Sequence, residues 1–358
     1  MDPRAAADRG VLVLGMHRSG ASAAIRLINL LGVPLGVLDD LMSRPHPGSP
    51  TALWESAALR EFNDSVLREL GGDVFSPPKL EPGWVGTLET KIDEAPGIFS
   101  DIYVGPQWAW KDPRNCLTLP FWRKAVVPDP VCIVVYRNPL DVARSLTKRD
   151  GHDLALGLAL WERYTRDLLG NISRLKVQVS SYDDLVDDPL RWCQEVSAFL
   201  SGHGVSLAPF DESAVLAFVD EKLRTSLTRT EELDSDPLVS ASIRDTYKLL
   251  ADLRGAHEAF AVPDLPSPTA WAEPLLGARR DWVMATRQVN ALENKLRKSP
   301  KQKDAQRREE ELRRKLNRQK QRADALQSKL ARLQASRSFR YLRPLRVIAA
   351  GLRGRRRR

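Results

Sequence analysis

The chain has 358 residues, of which 42% are hydrophobic and 28% charged, enough to bury one substantial core and still carry an extension. Its three cysteines, Cys116, Cys132 and Cys193, lie far apart, which excludes a disulfide framework or a zinc site built from cysteines alone. The net charge of +9 is matched by nine arginines, with no acid, in the residues from Ser336 onward, so the basic character belongs to the tail.

The sequence predicts neither a signal peptide nor a membrane span. The segment Met1–Gly10 carries both acids and arginines, and no stretch reaches the roughly 18 uninterrupted apolar residues that cross a bilayer. Together with the isolated cysteines, this predicts a cytoplasmic protein, or one held peripherally on the inner face of a membrane.

Short apolar segments alternate with helical patterns in the first part of the chain. This alternation predicts an α/β fold with a three-layer parallel sheet, in which ligands bind beyond the carboxyl ends of the strands. A further helix is predicted over Trp54–Leu70. The strand and helix pairs are Val11–Leu14 with Ser22–Leu31, Val131–Tyr136 with Leu140–Thr147, and Lys176–Ser180 with Leu190–Leu200.

Four prolines after Phe260 indicate the edge of this domain. The composition then becomes charged and helical, and arginine-rich at the end. We therefore predict an α/β domain over residues 1–265, a linker and helix over 266–300, a coiled-coil helix over 301–336, and a basic amphipathic tail over 337–358.

The segment 301–336 repeats apolar side chains at alternating three- and four-residue steps, with one polar side chain, Gln319, in the seam. About three heptads of this kind predict a short coiled coil and a homodimer. A single charged helix packed on its own domain is the alternative. The apolar seam residues are Leu312, Leu316, Ala323, Leu326, Leu330 and Leu333.

The tail 337–358 spaces apolar side chains three or four residues apart among its arginines. This pattern predicts an interfacial helix on an anionic membrane surface. A solvated tail is the second interpretation. Nucleic acid is the third and the weakest, since no recognition helix or stacking aromatics accompany the arginines.

The segment Gly15–Ser22 has the glycine spacing of a phosphate-binding loop between a strand and a helix. Backbone N–H groups and the helix N-terminus hold phosphate in such loops. In nucleotide triphosphatases a lysine follows the last glycine, whereas here Ala21 stands there and a cation, Arg18, lies inside the loop. This displacement favours an enzyme that cleaves a phosphosulfate; an ordinary glycine-containing turn is the alternative.

Three segments together resemble the family of bacterial-type sulfotransferases that use 3′-phosphoadenosine-5′-phosphosulfate (PAPS). They are Gly15–Ser22, Tyr136–Leu146 and Ser181–Leu185. In that family the first binds the 5′-phosphosulfate, and an arginine with a serine eight residues later binds the 3′-phosphate. Arg137 and Ser145 match that spacing.

The spacing of Arg137 and Ser145 also makes physical sense by itself. An arginine at the end of a strand offers a planar fork to a phosphate, and a serine two turns along the next helix adds a hydroxyl. A surface salt bridge and a polar helix position are the alternative interpretations. Beside a second phosphate loop, the pair favours a donor held at both phosphorylated ends.

The resemblance covers about residues 11–260 and implies a set of donor contacts. His17 would contact the donor from within the loop, Tyr182 would pack near the adenine, and Arg224 would add a contact to the 3′-phosphate. The residues assigned to donor binding are His17, Arg18, Ser19, Gly20, Ala21, Ser22, Arg137, Ser145, Tyr182 and Arg224.

Two further segments, Tyr103–Trp122 and Leu53–Glu55, also resemble the family. Lys111 is the predicted charge stabiliser of the transfer, beside Arg18, which reaches the leaving oxygen. Glu55 ranks first as general base and Asp112 second. Each carboxylate also has a structural alternative. Glu55 would be an acid in the first turn of a helix, favoured by the helix dipole, and Asp112 would pair with Lys111 or Arg114.

The sequence therefore predicts transfer of a sulfuryl group from PAPS to a hydroxyl acceptor, a saccharide or a glycolipid, without a metal site. Its departures from the family pattern are Ala21 in place of threonine, Arg18 in place of lysine, and Pro113 near the usual histidine base. A P-loop kinase or triphosphatase is one alternative. A catalytically inactive sulfotransferase-like scaffold is the other.

Overall fold

A computed structural model describes residues 10–42, 45–46, 49–209, 211–219, 230–297 and 303–334. Arg224 and the predicted tail 337–358 lie outside these residues. The chain divides into two compact units. Unit 1 comprises Met1–Val66 and Leu80–Thr269, and unit 2 comprises Leu67–Lys79 and Ala270–Arg358.

The first unit contains all the described strands and the helices α1 to α11, of which α2 continues into the residues of the second unit. The described strands are β1 (Gly10–Leu14), β2 (Pro45–His46), β3 (Ser49–Ala52), β4 (Trp108–Lys111), β5 (Val131–Tyr136), β6 (Lys176–Ser181) and β7 (Gly255–His257). The described helices are α1 (Ala21–Leu30), α2 (Ala57–Glu69), α3 (Glu89–Ile102), α4 (Asn115–Ala125), α5 (Pro139–Asp150), α6 (Leu154–Asn171), α7 (Tyr182–Asp187), α8 (Pro189–Gly202), α9 (Glu212–Phe218), α10 (Thr230–Ser235) and α11 (Ala241–Asp252).

The central sheet has the strand order β4-β1-β5-β6-β7, and β2 pairs with β3 in a separate antiparallel hairpin. Strands β4, β1, β5 and β6 are parallel, with Leu12 paired to both Trp110 and Cys132. The predicted α/β class and the three predicted strands are confirmed. Strand β7 differs from the predicted all-parallel arrangement, because it joins the edge antiparallel to β6.

Both faces of this sheet are covered, which explains its nearly continuous apolar strands. Val11 and Val13 face a core shared with α1, α7 and α8, and Ile133 and Val135 of β5 face the same core. The alternate side chains, including Leu12 and Leu14, are also fully buried. Helix α6 of the first unit packs against both α4 and α5.

Local sequence signals fix where helices begin after β5 and β6. Asn138 caps α5 by accepting from the Leu140 N–H at 2.9 Å, and Pro139 occupies the first turn. Ser181 and Asp184 form a reciprocal capping box at the start of α7. These caps start a helix directly after each strand. The residues at the strand–helix junctions therefore lie at the carboxyl ends of the parallel strands.

Unit 2 contains two long helices, α12 (Ala272–Arg297) and α13 (Lys303–Gln334), which pack together. A salt bridge of 2.8 Å links Lys320 to Glu293. Between Glu311 and Leu333, the seven predicted seam positions are the only side chains that are not exposed. The predicted seam therefore lies on the less exposed side of α13, while the coiled-coil dimer stays a prediction.

The short segment Leu67–Lys79 belongs to this second unit through arginines of α12. Arg279 and Arg280 donate to the carbonyls of Phe75 and Pro77 at 3.0 and 2.7 Å, and Arg287 donates to the carbonyl of Gly72 at 3.0 Å. The extension thus satisfies backbone acceptors of a segment far away in sequence. None of the helices in the described ranges has the length and apolarity of a membrane span.

Candidate active site

The site lies at the carboxyl ends of four parallel strands, where the loop Gly15–Gly20 follows β1. Lys111 ends β4, Arg137 follows β5, and Tyr182 follows β6. In open α/β sheets ligands bind in the crevice outside these strand ends. The topology therefore gathers residues that are widely separated in the sequence.

The loop Gly15–Gly20 is tightly folded. Arg18 and Gly20 have φ angles of 70° and 100°, in the left-handed region that a residue with a side chain rarely adopts. A Cβ atom on Gly20 would lie 2.2 Å from Cδ2 of Tyr182, so this position requires glycine. The Gly20 carbonyl accepts from Ala23 and Ala24 and starts α1 directly after the loop.

Ser19 carries a buried hydroxyl in this loop. The side chain is 2% exposed, and its Oγ has no hydrogen-bond partner within the part of the chain that the structure describes. Buried polar groups are nearly always satisfied in native proteins. A bound anion seated in the loop would satisfy this hydroxyl.

Several predicted donor-binding residues form an arginine cluster that includes Arg18 of the loop. Arg18 Nε donates to Ser145 Oγ at 2.8 Å, and Arg137 Nη1 lies 3.4 Å from the Arg18 carbonyl oxygen. The Arg137 guanidinium stacks over the Tyr182 ring at 4.4 Å and lies 3.8 Å from Asp141. Four predicted donor-binding residues, Arg18, Ser145, Arg137 and Tyr182, thus meet in one cluster.

Positive charges converge at Arg18 in the arginine cluster. Burial lowers the pKa of Arg18, and the charges of Arg149 and Arg137 lower it further. Arg149 was not predicted, although its place one helical turn after Ser145 is a signal that could have identified it. Converging cations of this kind favour an anionic ligand.

His17 carries an uncharged ring at neutral pH. Burial, and then the charges of Arg114 and Arg149, hold its pKa well below the ordinary value of 6.5. The ring meets Tyr164 edge-on with the centroids 6.1 Å apart. His17 therefore lines the loop without adding to its positive charge.

A second cluster, the lysine cluster, forms around Lys111 and includes Ser22. Its Nζ donates to Glu55 Oε1 at 2.6 Å, to Ser22 Oγ at 2.9 Å and to the carbonyl of Leu53 at 3.4 Å. The Lys111 and Glu55 side chains are only 4% and 5% exposed. The pair brings a cation and a carboxylate to the first turn of α1, beside the loop.

Asp112 has a different environment from Glu55. Its Oδ1 accepts from the Arg114 backbone N–H and Nη1 at 2.9 and 3.0 Å, and its Oδ2 accepts from Asn63 at 2.9 Å. Arg114 also holds Asp64 through two hydrogen bonds. Asp112 is thus the centre of a buried network that fixes the end of β4, with both carboxylate oxygens engaged.

The described residues bring no three His, Cys, Asp or Glu side chains together as a metal site. Ala21 is 3% exposed and belongs to the apolar core, so it contributes its backbone to the loop.

The fold and site define an α/β protein whose loop after β1 contacts the arginine cluster through Arg18 and leads into Ser22, which contacts the lysine cluster. No protein-family model and no curated protein matches the sequence. Among solved structures, the sulfotransferase domain from the Synechococcus PCC 7002 olefin synthase is similar with a TM-score of 0.36 and 19% identity. The match covers 72% of this chain and 95% of that domain.

Proposed function

We propose that this chain is a sulfotransferase, and that Gly15–Ser22 is a phosphate-binding loop for PAPS. One observation carries the proposal: within Gly15–Ser22, Arg18 contacts the arginine cluster and Ser22 contacts Lys111, so this segment meets cations for both charged ends of one donor. A nucleoside triphosphate has its charge at one end only. A donor with a 3′-phosphate and a 5′-phosphosulfate has charge at both.

The arginine cluster would bind the 3′-phosphate. Arg137 supplies a fork and Ser145 a hydroxyl, and the Tyr182 ring under Arg137 offers an aromatic surface for the adenine. The backbone N–H groups of the loop and the Ser19 hydroxyl would hold the 5′-phosphosulfate. Arg18 contacts Ser145 and extends from the loop that holds the other end, so it joins the two subsites.

The lysine cluster would carry out the transfer. The acceptor oxygen attacks sulfur while the bond between sulfur and the 5′-phosphate oxygen breaks, releasing 3′-phosphoadenosine 5′-phosphate. Glu55 takes the acceptor's proton, and Lys111 stabilises charge on the departing phosphate. Positioning and charge stabilisation would supply most of the rate enhancement, as in phosphoryl transfer.

Calorimetry tests this proposal with 3′-phosphoadenosine 5′-phosphate, ATP and adenosine 5′-phosphate, all without magnesium. We expect the bisphosphate to bind most tightly, and Arg137→Ala to weaken it by about a hundredfold, because charged hydrogen bonds contribute about 1.5–3 kcal/mol each. Arg123→Ala, which removes an arginine that pairs with Asp129, is the matched control.

Other outcomes would favour the other functions. Tighter binding of ATP, or a need for magnesium, would contradict the sulfotransferase and favour a P-loop kinase or triphosphatase. Absence of nucleotide binding would favour an inactive scaffold. Ala21 would be one reason, because it lacks the hydroxyl of the threonine that the resembled family has at this position.

A further inference from the structure

Two arginines beside the lysine cluster form no ion pair with any residue in the described ranges. Arg26 lies on α1 one turn after Ser22, its guanidinium stacks over the Trp54 ring at 4.7 Å, and it donates to Asn29. Arg60 lies on α2, and its Nη1 is 3.4 Å from the Met42 sulfur. Both cations are available to a ligand.

Both arginines contact side chains of residues whose backbone is hydrogen-bonded beside Glu55. Met42 N–H donates to the Glu55 carbonyl at 2.8 Å, and Trp54 N–H donates to the Met42 carbonyl at 3.1 Å. Trp54, under Arg26, therefore directly precedes the proposed base in the chain. Met42, which contacts Arg60, is hydrogen-bonded to the backbone of that base. The arginines thus lie near the backbone of the proposed base.

Trp54 adds a donor to the same place. Its indole nitrogen is buried and has no hydrogen-bond partner within the described part of the chain. Its φ of 55° is unusual for a bulky residue. Burial also lowers the pKa of Arg26, because part of the guanidinium has lost its water. A partly desolvated cation beside an unsatisfied N–H is a combination that an anionic ligand would stabilise.

We propose that the acceptor is an anionic alcohol, whose negative group binds Arg26 and Arg60 beside the Trp54 indole N–H while its hydroxyl faces Glu55. This inference rests on the proposed sulfotransferase function. The carboxylate of an acidic saccharide and the phosphate of a lipid headgroup both supply the required chemistry.

The test is calorimetric titration of protein already saturated with 3′-phosphoadenosine 5′-phosphate. Two pairs of ligands differ mainly in charge: methyl glucuronide against methyl glucoside, and glycerol 3-phosphate against glycerol. We expect the anionic member of one pair to bind about tenfold more tightly than its neutral partner, since one charged contact contributes about that factor. The glucuronide would indicate a saccharide and the phosphate a lipid headgroup.

Arg26→Met and Arg60→Met should each remove most of this preference, whereas Arg26→Lys should keep part of it. Arg191→Met, which removes an exposed arginine paired with Glu195, is the control for one lost charge. Equal binding of charged and neutral ligands, or no binding of either, by protein that binds the bisphosphate would overturn the anionic-acceptor proposal alone. Failure of the bisphosphate to bind would instead overturn the proposed function.

Discussion

Glu55 and Asp112 are both buried carboxylates near the end of β4, but their partners suit them to different roles in the proposed reaction. Glu55 contacts the Lys111 ammonium beside the loop, whereas both oxygens of Asp112 are engaged by Arg114 and Asn63. A base must be able to accept a proton from the substrate, so the contacts favour Glu55. Asp112 is better suited to hold the strand end.

Substitution separates these two roles. Glu55→Gln should keep affinity for the bisphosphate within about threefold and lower the transfer rate at least a hundredfold, the usual contribution of a general base. Asp112→Ala should lower the free energy of unfolding by about 3–5 kcal/mol, because a buried arginine loses a partner. Urea unfolding and release of the bisphosphate from PAPS measure the two effects. A stable Asp112→Ala protein without activity would restore Asp112 as the base.

His17 makes folding depend on pH. Its pKa is lowered in the folded chain, so the unfolded chain binds a proton first as the pH falls below about 6.5. Stability linked to His17 is therefore complete above that pH and is lost as the pH falls towards the folded-state pKa. The wild type should lose more stability than His17→Gln between pH 7 and pH 5 in urea unfolding. Parallel pH curves for the two proteins would contradict this prediction.

At the scale of elements, the loop between β1 and α1 depends on one glycine. Gly20→Ala introduces a Cβ that would collide with Tyr182 and forces alanine into a left-handed conformation. We expect a loss of about 1–3 kcal/mol in stability and weaker binding of the bisphosphate. Gly170→Ala is the matched control, since this α6 glycine has open space around it and alanine favours a helix. Equal effects of the two substitutions would contradict the role of Gly20.

The pair α12 and α13 contains one buried polar group that is not satisfied. Gln319 lies in the apolar seam, and its Oε1 has no hydrogen-bond partner among the described residues. Gln319→Leu should therefore stabilise the second unit by about 1–3 kcal/mol, the usual desolvation penalty of such a group. Hydrogen exchange of α13 amides would measure the change, with Gln321→Leu at an exposed neighbouring position as the control. Faster exchange in Gln319→Leu would contradict this interpretation.

At the scale of the whole molecule, the C-terminal extension is not simply added to a complete domain. The segment Leu67–Lys79 belongs to the second unit and gives backbone carbonyls to Arg279, Arg280 and Arg287 of α12. Because unsatisfied backbone groups must then turn to water, a chain ending at Thr269 should be cleaved in this segment much faster than the full chain. Limited proteolysis with mass spectrometry measures the rates. Equal cleavage would show that the segment holds its structure alone.

The sequence by itself determined the α/β class and the strands β1, β5 and β6, because continuous apolar segments bounded by turn signals report burial on both faces. The glycine spacing of the loop and the eight-residue spacing of Arg137 and Ser145 are local patterns too, and the structure places both residues in the arginine cluster. The less exposed positions of α13 were predicted in the same way, from the three- and four-residue spacing of its apolar side chains.

Only the tertiary structure decided which distant residues meet. Lys111 contacts Glu55 and Ser22 across 56 and 89 residues of sequence, and no local pattern specifies such a contact. No local pattern specifies the hydrogen bonds from Arg114 and Asn63 to Asp112 either. The antiparallel pairing of β7 and the position of Arg26 over Trp54 are further examples. Periodicity indicates that a side chain is buried, whereas the packing of whole elements determines which residue it contacts. Those contacts distinguish a carboxylate suited to act as a base from one that holds the structure.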